Sequence, residues 1–307
     1  ALPVFASDDG DTIYINSVSD LLSLAKSCAY DQWSVGKTVI LQKDLSLEGM
    51  LWEPIPSFSG QFKGNGHTIS DLTVSGEYSP AGLFGIVEEK GSIESLSVRG
   101  VVSVSDTKDT TTGGIVGINH GTLINCQFTG VVTGDSEVGG IVGRNRGEIT
   151  GSTVGTKDKT GSIITARSGF VGGVAGANNG SISSSGSGAE GVTNLVKQVD
   201  DWFTNSETND MISKLKGTAY NNIKGVDTVS KSDYGTVYTT TGLSQNDLLV
   251  GLRGTTATNG KSSGYLGGVA GFNTVNGTIT GAATGKWFVY GNNTTVESKI
   301  GGMIGMN

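Results

Sequence analysis

The sequence contains little cysteine, proline and charge, and each shortage excludes a class of protein. Two cysteines in 307 residues cannot build a disulfide framework, and four prolines without glycine at every third position exclude collagen. Charged residues make up 16% of the chain, with a formal net charge of −7. That charge is too small for a disordered acidic tail and has the wrong sign for a nucleic-acid-binding surface. No apolar run reaches the roughly 18 residues of a membrane span, so we expect a folded protein without one.

Glycine, by contrast, is abundant, at 50 of 307 residues, more than twice the usual share of about 7%. Many of these glycines belong to a five-residue motif that occurs six times. The copies are residues 81–85, 113–117, 139–143, 172–176, 267–271 and 301–305. Counted at their second residues, they are separated by 32, 26, 33, 95 and 34 positions. The long fourth interval indicates an insertion between two repeats.

Asparagine follows the last five copies of the motif at a constant distance. The five residues are Asn119, Asn145, Asn178, Asn273 and Asn307. In the first three of these cases Asn-x-Gly is followed by a small or polar residue and an aliphatic one, a pattern that indicates a tight turn between two short strands. Units of about 30 residues that contain only strands and turns bury their apolar side by stacking on one another.

We therefore predict an all-β fold, a right-handed parallel β-helix whose coils lie about 4.8 Å apart. A β-propeller is the alternative, but its blades need about 40 residues each, more than these repeats provide. The β-helix places the aliphatic residues of the glycine motif, among them Ile115, Ile141 and Val174, inside the coils.

These repeats resemble the GLUG motif of bacterial exported and surface proteins, which include large wall-associated proteins and some immunoglobulin A1-specific metallopeptidases. Residues 58–69 (FSGQFKGNGHTI) and the helix-then-strand opening over 17–47 resemble the region that typically precedes such repeats. The resemblance implies a β-helix in an exported protein. It does not imply proteolysis, because the chain lacks the His-Glu-x-x-His zinc helix of the protease members.

The patterns divide the chain into four regions. Residues 1–50 contain a signal-like apolar stub and a predicted capping helix over 17–28 with Ser17 as its N-cap. Coils are expected over 51–186 and 264–307. Between them, residues 187–263 form a mixed α/β insertion, a lateral subdomain with an amphipathic helix from Val192 and a further short helix over 244–250. The chain ends within the sixth repeat, which predicts a longer parent protein beyond Asn307 or a next coil from another chain.

Two interpretations of the insertion remain open. Its aromatic residues either pack on the flank of the solenoid as additional core or form a recognition element, because insertions in repeat proteins gather on one functional face.

Few residues are candidates for chemistry. His67 is expected to be structural and His120 solvated, and Cys28 and Cys126 are predicted to be buried free thiols because both lie in apolar patterns. Without a cluster of Cys or His residues at ligand spacing, a zinc site is not expected.

Stacking the repeats in register brings together one group of acidic residues. Glu77, Asp109 and Asp135 each lie five residues before the second motif position and would form a column of carboxylates on three coils. Calcium favours several such oxygens. If the column is solvated instead, its charges repel one another only mildly.

The sequence favours a non-enzymatic domain of an exported bacterial surface protein, secreted or held at the cell surface. Its expected role is adhesion to a host protein or a glycan, with no cofactor other than the calcium considered above and no nucleic-acid partner. The alternative is a carbohydrate-active enzyme, similar to polysaccharide lyases, that acts along the groove of the β-helix. Release of unsaturated ends from uronic polysaccharides discriminates the two.

Overall fold

The computed structural model describes residues 11–30, 32–104, 110–155, 162–166, 169–183, 185–187, 248–252, 264–281, 283–284, 287–291, 298–301 and 304–307. These residues form a parallel β-solenoid of about six turns, which confirms the predicted fold class. Within the described ranges there is one helix, α1 (Val18–Ser27), and the strands form four sheets. A complete coil passes through sheets I, II, III and IV in that order, and each strand pairs in parallel with the equivalent strand of the next coil.

Sheet I has eight strands: β1 (Thr12–Ile15), β2 (Thr38–Leu41), β5 (Gln61–Lys63), β8 (Ser92–Glu94), β12 (Thr122–Ile124), β16 (Glu148–Thr150), β21 (Ser181–Ser183) and β26 (Thr278–Thr280). Sheet II has ten strands: β3 (Leu45–Ser46), β6 (Thr68–Gly76), β9 (Ser97–Val104), β13 (Gln127–Gly134), β17 (Thr153–Val154), β18 (Ile163–Ala166), β22 (Gly186–Ser187), β23 (Leu248–Leu252), β27 (Ala283–Thr284) and β28 (Trp287–Gly291). Sheet III has five strands: β10 (Thr111–Gly113), β14 (Glu137–Gly139), β19 (Gly169–Gly172), β24 (Gly264–Gly267) and β29 (Ser298–Gly301). Sheet IV has seven strands: β4 (Ile55–Phe58), β7 (Phe84–Val87), β11 (Val116–Asn119), β15 (Val142–Asn145), β20 (Ala175–Asn178), β25 (Ala270–Asn273) and β30 (Ile304–Met306).

Helix α1 covers the first coils, as the sequence predicts. The hydroxyl oxygen of Ser17 accepts a hydrogen bond from the backbone N–H of Asp20 at 3.2 Å, which satisfies a donor at the start of the helix. The buried side chains of Leu21 and Leu24 belong to the same core as the first coils, and the helix lies against β1 and β4. This end of the solenoid is therefore covered by apolar packing.

The glycine motif forms the corner between sheets III and IV. At this corner the backbone lies in close contact both with itself across the turn and with the backbone of the neighbouring coil. A Cβ atom at Gly139 would lie 2.1 Å from the carbonyl oxygen of Val142, and one at Gly143 would lie 2.6 Å from the backbone nitrogen of Thr112. Only glycine allows this approach. The aliphatic residues of the motif point the other way, and Ile115, Ile141 and Val174 are fully buried, as predicted.

The repeated asparagines form a hydrogen-bonded ladder along the solenoid. Asn119 donates from Nδ2 to Oδ1 of Asn145 at 2.8 Å, Asn145 to Asn178 at 2.8 Å, Asn178 to Asn273 at 2.7 Å, and Asn273 to Asn307 at 2.6 Å. The first three amides also donate to the carbonyl two residues later in their own turn. Each asparagine therefore closes its turn and links its coil to the next.

The predicted insertion is only partly described. The helix expected over 244–250 is wrong where the structure describes it, because Leu248–Leu252 is strand β23, paired in parallel with β18 and β28. A short apolar run fits either element, and pairing with two neighbouring coils decides in favour of the strand. Residues 188–247 lie outside the described residues, so a lateral subdomain with helices remains a prediction.

Candidate functional site

Two columns of side chains meet on the exterior of the corner between sheets III and IV. The first column lies three residues before the second motif glycine and the second lies four residues after it. On three successive coils the paired residues are Glu137 with Arg144, Phe170 with Ala177, and Tyr265 with Phe272. We call these six residues the aromatic strip.

The first pair of the strip is a bidentate ion pair. Arg144 donates from Nε and Nη2 to the two carboxylate oxygens of Glu137, both at 2.6 Å. The Glu137 side chain is 10% exposed and that of Arg144 is 36% exposed. The hydrogen bonds to Glu137 raise the pKa of Arg144 above its usual value. The two charges therefore neutralise each other and leave the guanidinium partly accessible.

The next two coils replace this pair with aromatic rings. Phe170 and Tyr265 stack with their ring centroids 5.4 Å apart and an interplanar angle of 9°, because their strands place them in register. Phe272 tilts against both rings, at 5.0 Å from Phe170 and 6.1 Å from Tyr265. All three side chains are partly exposed. Opposite Phe170 stands the small, buried Ala177, which leaves room for the cluster.

This arrangement is suited to binding. Partly exposed aromatic rings and arginine are enriched where proteins contact partners, since they offer large apolar area at a low cost in side-chain entropy. The rigid strands hold the rings in place, and the Glu137–Arg144 pair adds a hydrogen-bonding group at one end. The strip is thus an apolar surface whose Glu137–Arg144 end is polar and electrically neutral, and whose other end adjoins the register positions of Lys299 and Met306 in the next coil.

The predicted carboxylate column remains a prediction. Glu77 is exposed, Asp135 is partly buried, and Asp109 lies outside the described residues. The backbone N–H of Asp135 donates to Thr110 Oγ1 at 2.8 Å. The described residues contain no group of three or more His, Cys, Asp or Glu side chains that could hold a metal ion.

The register near Glu77 differs from the one used to align that column. Ala81 bridges to Thr112, whereas Phe84 pairs with Val116. The sequence offset between these two coils is therefore 31 residues at Ala81 and 32 at Phe84, and at Gly76, which pairs with Val104, it is 28. Aligning the repeats at the second motif glycine misses this shift.

The other candidate residues have structural roles. Cys28 and Cys126 are buried free thiols, as predicted, and burial raises the pKa of each to about 12, which makes them poor nucleophiles. His67 Nδ1 lies 3.1 Å from Asp44 Oδ1, and the backbone N–H of Thr68 donates to the same oxygen. These hydrogen bonds, the one from Thr68 first, lower the pKa of Asp44.

Sequence reasoning did not find the aromatic strip. Its members lie at positions that vary in chemical type from repeat to repeat, and Phe170 and Tyr265 are separated in sequence by the long insertion. The signal that could have found it is the fixed spacing of three residues before and four residues after the second motif glycine. When these two positions are compared within each coil, they pair Glu137 with Arg144 in one coil and Tyr265 with Phe272 in another.

No protein-family profile matches the chain. In sequence, it is 34% identical over 84 residues to halomucin from Haloquadratum walsbyi. That match covers 27% of this chain and only 1% of halomucin, so the chain spans a very small part of that relative. Among the described residues, no helix has the length and apolar character needed to cross a membrane.

In structure, the chain is similar to a Bacteroides ovatus protein solved at 1.30 Å and provisionally described as an immunoglobulin A1 protease. The TM-score is 0.51 with 13% sequence identity, and the match covers 98% of this chain and 86% of the other. An identity this low shows the fold alone.

Proposed function

We propose that this chain is a non-catalytic, β-helical module of an exported surface protein that binds a glycan or a host protein through the aromatic strip. The observation that carries the proposal is the cluster of Phe170, Tyr265 and Phe272, which places three partly exposed rings on a rigid flank beside a neutralised ion pair. Membership of a GLUG-motif family is part of the same proposal and rests on the repeats.

The energetics favour a partner. Rings of this size contribute most of the apolar area at binding surfaces, and a solvated cluster loses part of the free energy that burial would supply. The Arg144 guanidinium already has its carboxylate partner, so a ligand gains little from carrying an opposite charge. A largely uncharged face, such as that of a sugar ring or an apolar peptide segment, fits the strip best.

The test is a binding screen of the labelled chain on arrayed neutral and acidic glycans, immobilised mucin and extracellular matrix proteins. The same screen is run with Tyr265→Ala/Phe272→Ala and with Tyr30→Ala, which removes an aromatic side chain that is 58% exposed outside the strip. We expect at least one probe to bind the parent and Tyr30→Ala and to lose affinity for the double variant.

Each outcome of the screen bears on a different part of the proposal. Silence on all probes with the parent chain contradicts the adhesive role. Binding that survives in the double variant leaves adhesion standing and shows that the strip is not the site.

A further inference from the structure

The sheet IV column of the aromatic strip continues past the ion pair with apolar side chains. Arg144 pairs in register with Ile118 of the preceding coil, and Ile118 pairs with Ile86. Both isoleucines are half-buried, and neither is among the side chains that form or line the main core of the described residues. They therefore stand on the outer surface, in line with Arg144 and Ala177.

The ion pair consequently lies in the middle of a longer apolar surface. The sheet IV column crosses five coils, from Ile86 through Arg144 to Phe272. Since coils lie about 4.8 Å apart, its length is about 19 Å. We call the two isoleucines together with the aromatic strip the extended strip.

The rings of the extended strip leave their edges, more than their faces, for a ligand. Phe170 and Tyr265 lie face to face at 5.4 Å and 9°, and the coil of Glu137 adjoins the other side of Phe170. An aromatic ring is negative on its face and positive at its edge. The C–H groups of a sugar therefore favour a free face, whereas the carbonyl oxygens and aromatic faces of a protein favour the edges.

The isoleucines favour the same class of partner. Ile86 and Ile118 offer apolar area and no hydrogen-bonding group. A sugar that covered them would lose water from its hydroxyl groups without a replacement, which is costly. Apolar side chains of a protein gain from the same contact. The extended strip as a whole is therefore suited to a protein and poorly suited to a glycan.

The spacing of the coils fits the turns of an α-helix. Helix turns lie about 5.4 Å apart, so apolar residues at i, i+3 or i+4 and i+7 meet successive coils, with a mismatch of about 0.6 Å at each step. An extended strand places its same-face side chains about 6.7 Å apart and misses the coil spacing by about 2 Å each time. A helix of about 13 residues covers the extended strip.

Arg144, at the middle coil, defines the middle turn of such a helix. Its guanidinium has five N–H donors, two of which bond to Glu137, and its side chain is 36% exposed. Glu137 repels a carboxylate on the partner, whereas an uncharged amide accepts a hydrogen bond from the exposed guanidinium. Charge complementarity therefore favours apolar outer turns with one neutral polar residue between them.

We propose that the partner of this surface is a protein and that its bound element is an amphipathic helix, lying along the solenoid axis from Ile86 to Phe272. The apolar stripe of the helix contacts the isoleucines and the rings, and an asparagine or glutamine at its centre meets Arg144. This inference rests on the proposed function, because it names the partner of the same surface.

The test presents three sets of probes to the labelled chain. The first is a displayed library of peptides of about 18 residues with apolar residues at helical spacing. In the second library, of the same length and composition, apolar residues stand at every second position, as in a strand. The third set is the glycan array described above.

Each binder is then measured on variants of the chain. Ile86→Ala/Ile118→Ala removes the part of the surface that only this inference assigns. Its matched control is Ile40→Ala/Ile124→Ala, which truncates two half-buried isoleucines on the outer face of sheet I. Circular dichroism checks that each variant is folded, and the single variants Ile86→Ala and Ile118→Ala take the place of a double variant that is not.

A third variant, Glu137→Met/Arg144→Met, makes the middle of the extended strip apolar. On this variant, helical peptides with leucine at the centre should bind more tightly than those with an amide. On the parent chain the order should be reversed. An unchanged order would contradict the contact with Arg144.

We expect the helical library to yield binders whose affinity falls about tenfold in Ile86→Ala/Ile118→Ala and in Tyr265→Ala/Phe272→Ala, and stays within about twofold in the sheet I control. Binding of strand-patterned peptides or glycans alone overturns this inference and leaves the proposed function standing. So do helical binders that need the rings but not the isoleucines. Silence of both libraries and of all the arrayed probes overturns the proposed function, and this inference with it.

Discussion

Two clusters of aromatic rings, one in the first coils and one in the later coils, lie on opposite sides of the solenoid's sheets. In the first coils Phe58, Phe62 and Phe84 lie fully inside, with ring centroids 5.4 to 6.3 Å apart. In the later coils Phe170 and Tyr265 lie outside. Among the described residues, the interior of those later coils holds aliphatic side chains such as Val171, Val174 and Val269, together with the asparagine ladder.

The difference shows how one architecture is stabilised in two ways. The coils beside α1 are held by burial of large rings, which is non-directional. The glycine-motif coils bring their backbones close together at the corner, and at Gly114 the missing Cβ leaves room for the buried ring of Phe128. These coils depend in addition on register and amide hydrogen bonds. The rings of Phe170, Tyr265 and Phe272, in contrast, are partly exposed on the surface, where they are available for binding.

The largest effect is expected from a charge inside the repeat coils. Ile141 is fully buried, and Ile141→Asp places an unpaired carboxylate there, at a cost of about 5 kcal/mol in the free energy of unfolding. Urea unfolding followed by far-UV circular dichroism measures the loss. The matched control is Ile141→Val, which should cost about 1 kcal/mol. An Ile141→Asp protein as stable as the parent contradicts the assignment of this residue to the core.

A smaller loss is expected from the aromatic core of the first coils. Phe62→Ala removes a fully buried ring that contacts two others, and we expect a loss of about 3–4 kcal/mol, from lost burial and the cavity that remains. Urea unfolding followed by far-UV circular dichroism measures the loss, as for Ile141→Asp. A loss below about 1 kcal/mol would mean that this end is loosely packed.

The asparagine ladder should contribute less than a core ring and more than a surface residue. Asn145→Ala deprives Asn119 of its acceptor and Asn178 of its donor. Leaving buried polar groups unpaired costs about 1–3 kcal/mol each, partly offset by relaxation, so we expect about 2 kcal/mol in chemical denaturation. Arg146→Ala, in the same turn but outside the ladder, is the control and should be near neutral. Equal losses of stability for Asn145→Ala and Arg146→Ala would show that the ladder does not stabilise the fold.

A surface ring should contribute little to stability. Phe272→Ala is expected to cost about 1 kcal/mol or less, because its ring is partly exposed and its contacts are with other exposed rings. Differential scanning calorimetry provides the comparison with Phe62→Ala. Equal losses for the two variants would show that the rings of the strip are core residues in the folded chain.

The smallest effect is expected from calcium. A site at Glu77, Asp109 and Asp135 would add about 2.7 kcal/mol at 100 times its dissociation constant, and Asp109→Asn would abolish most of that gain. We expect calcium to leave the midpoint of unfolding unchanged, since the register on both sides of Glu77, at Gly76 with Val104 and at Ala81 with Thr112, differs from the one that would align Glu77 with Asp109. A calcium-dependent rise that Asp109→Asn removes would establish the column as a cation site.

The fold class can be predicted from the sequence because stacked coils require the same residue types at regular intervals along the chain. The recurrence of the glycine motif and of Asn119 and its equivalents specifies stacked coils, and the buried Ile141 follows from them. The sequence predicts a helix over 244–250 because a short apolar run fits either element, and only the pairing of β23 with β18 and β28 decides in favour of a strand.

The aromatic strip could not be read from a single repeat. The partners Glu137 and Arg144 stand on opposite sides of a corner, and no strand or helix period links positions across it. Their contact depends on the angle between sheets III and IV. Likewise, Phe170 stacks on Tyr265 because β19 pairs in parallel with β24, a register that the long sequence separation of the two rings does not reveal.

The most direct test of the central claim measures stability and binding on one variant. The claim is that the later coils keep their rings outside for a partner, so Tyr265→Ala/Phe272→Ala should retain the unfolding free energy of the parent to within about 1–2 kcal/mol and lose affinity for whichever arrayed probe the parent binds. A double variant that unfolds as readily as Phe62→Ala, or one that binds that probe as tightly as the parent does, would contradict the account.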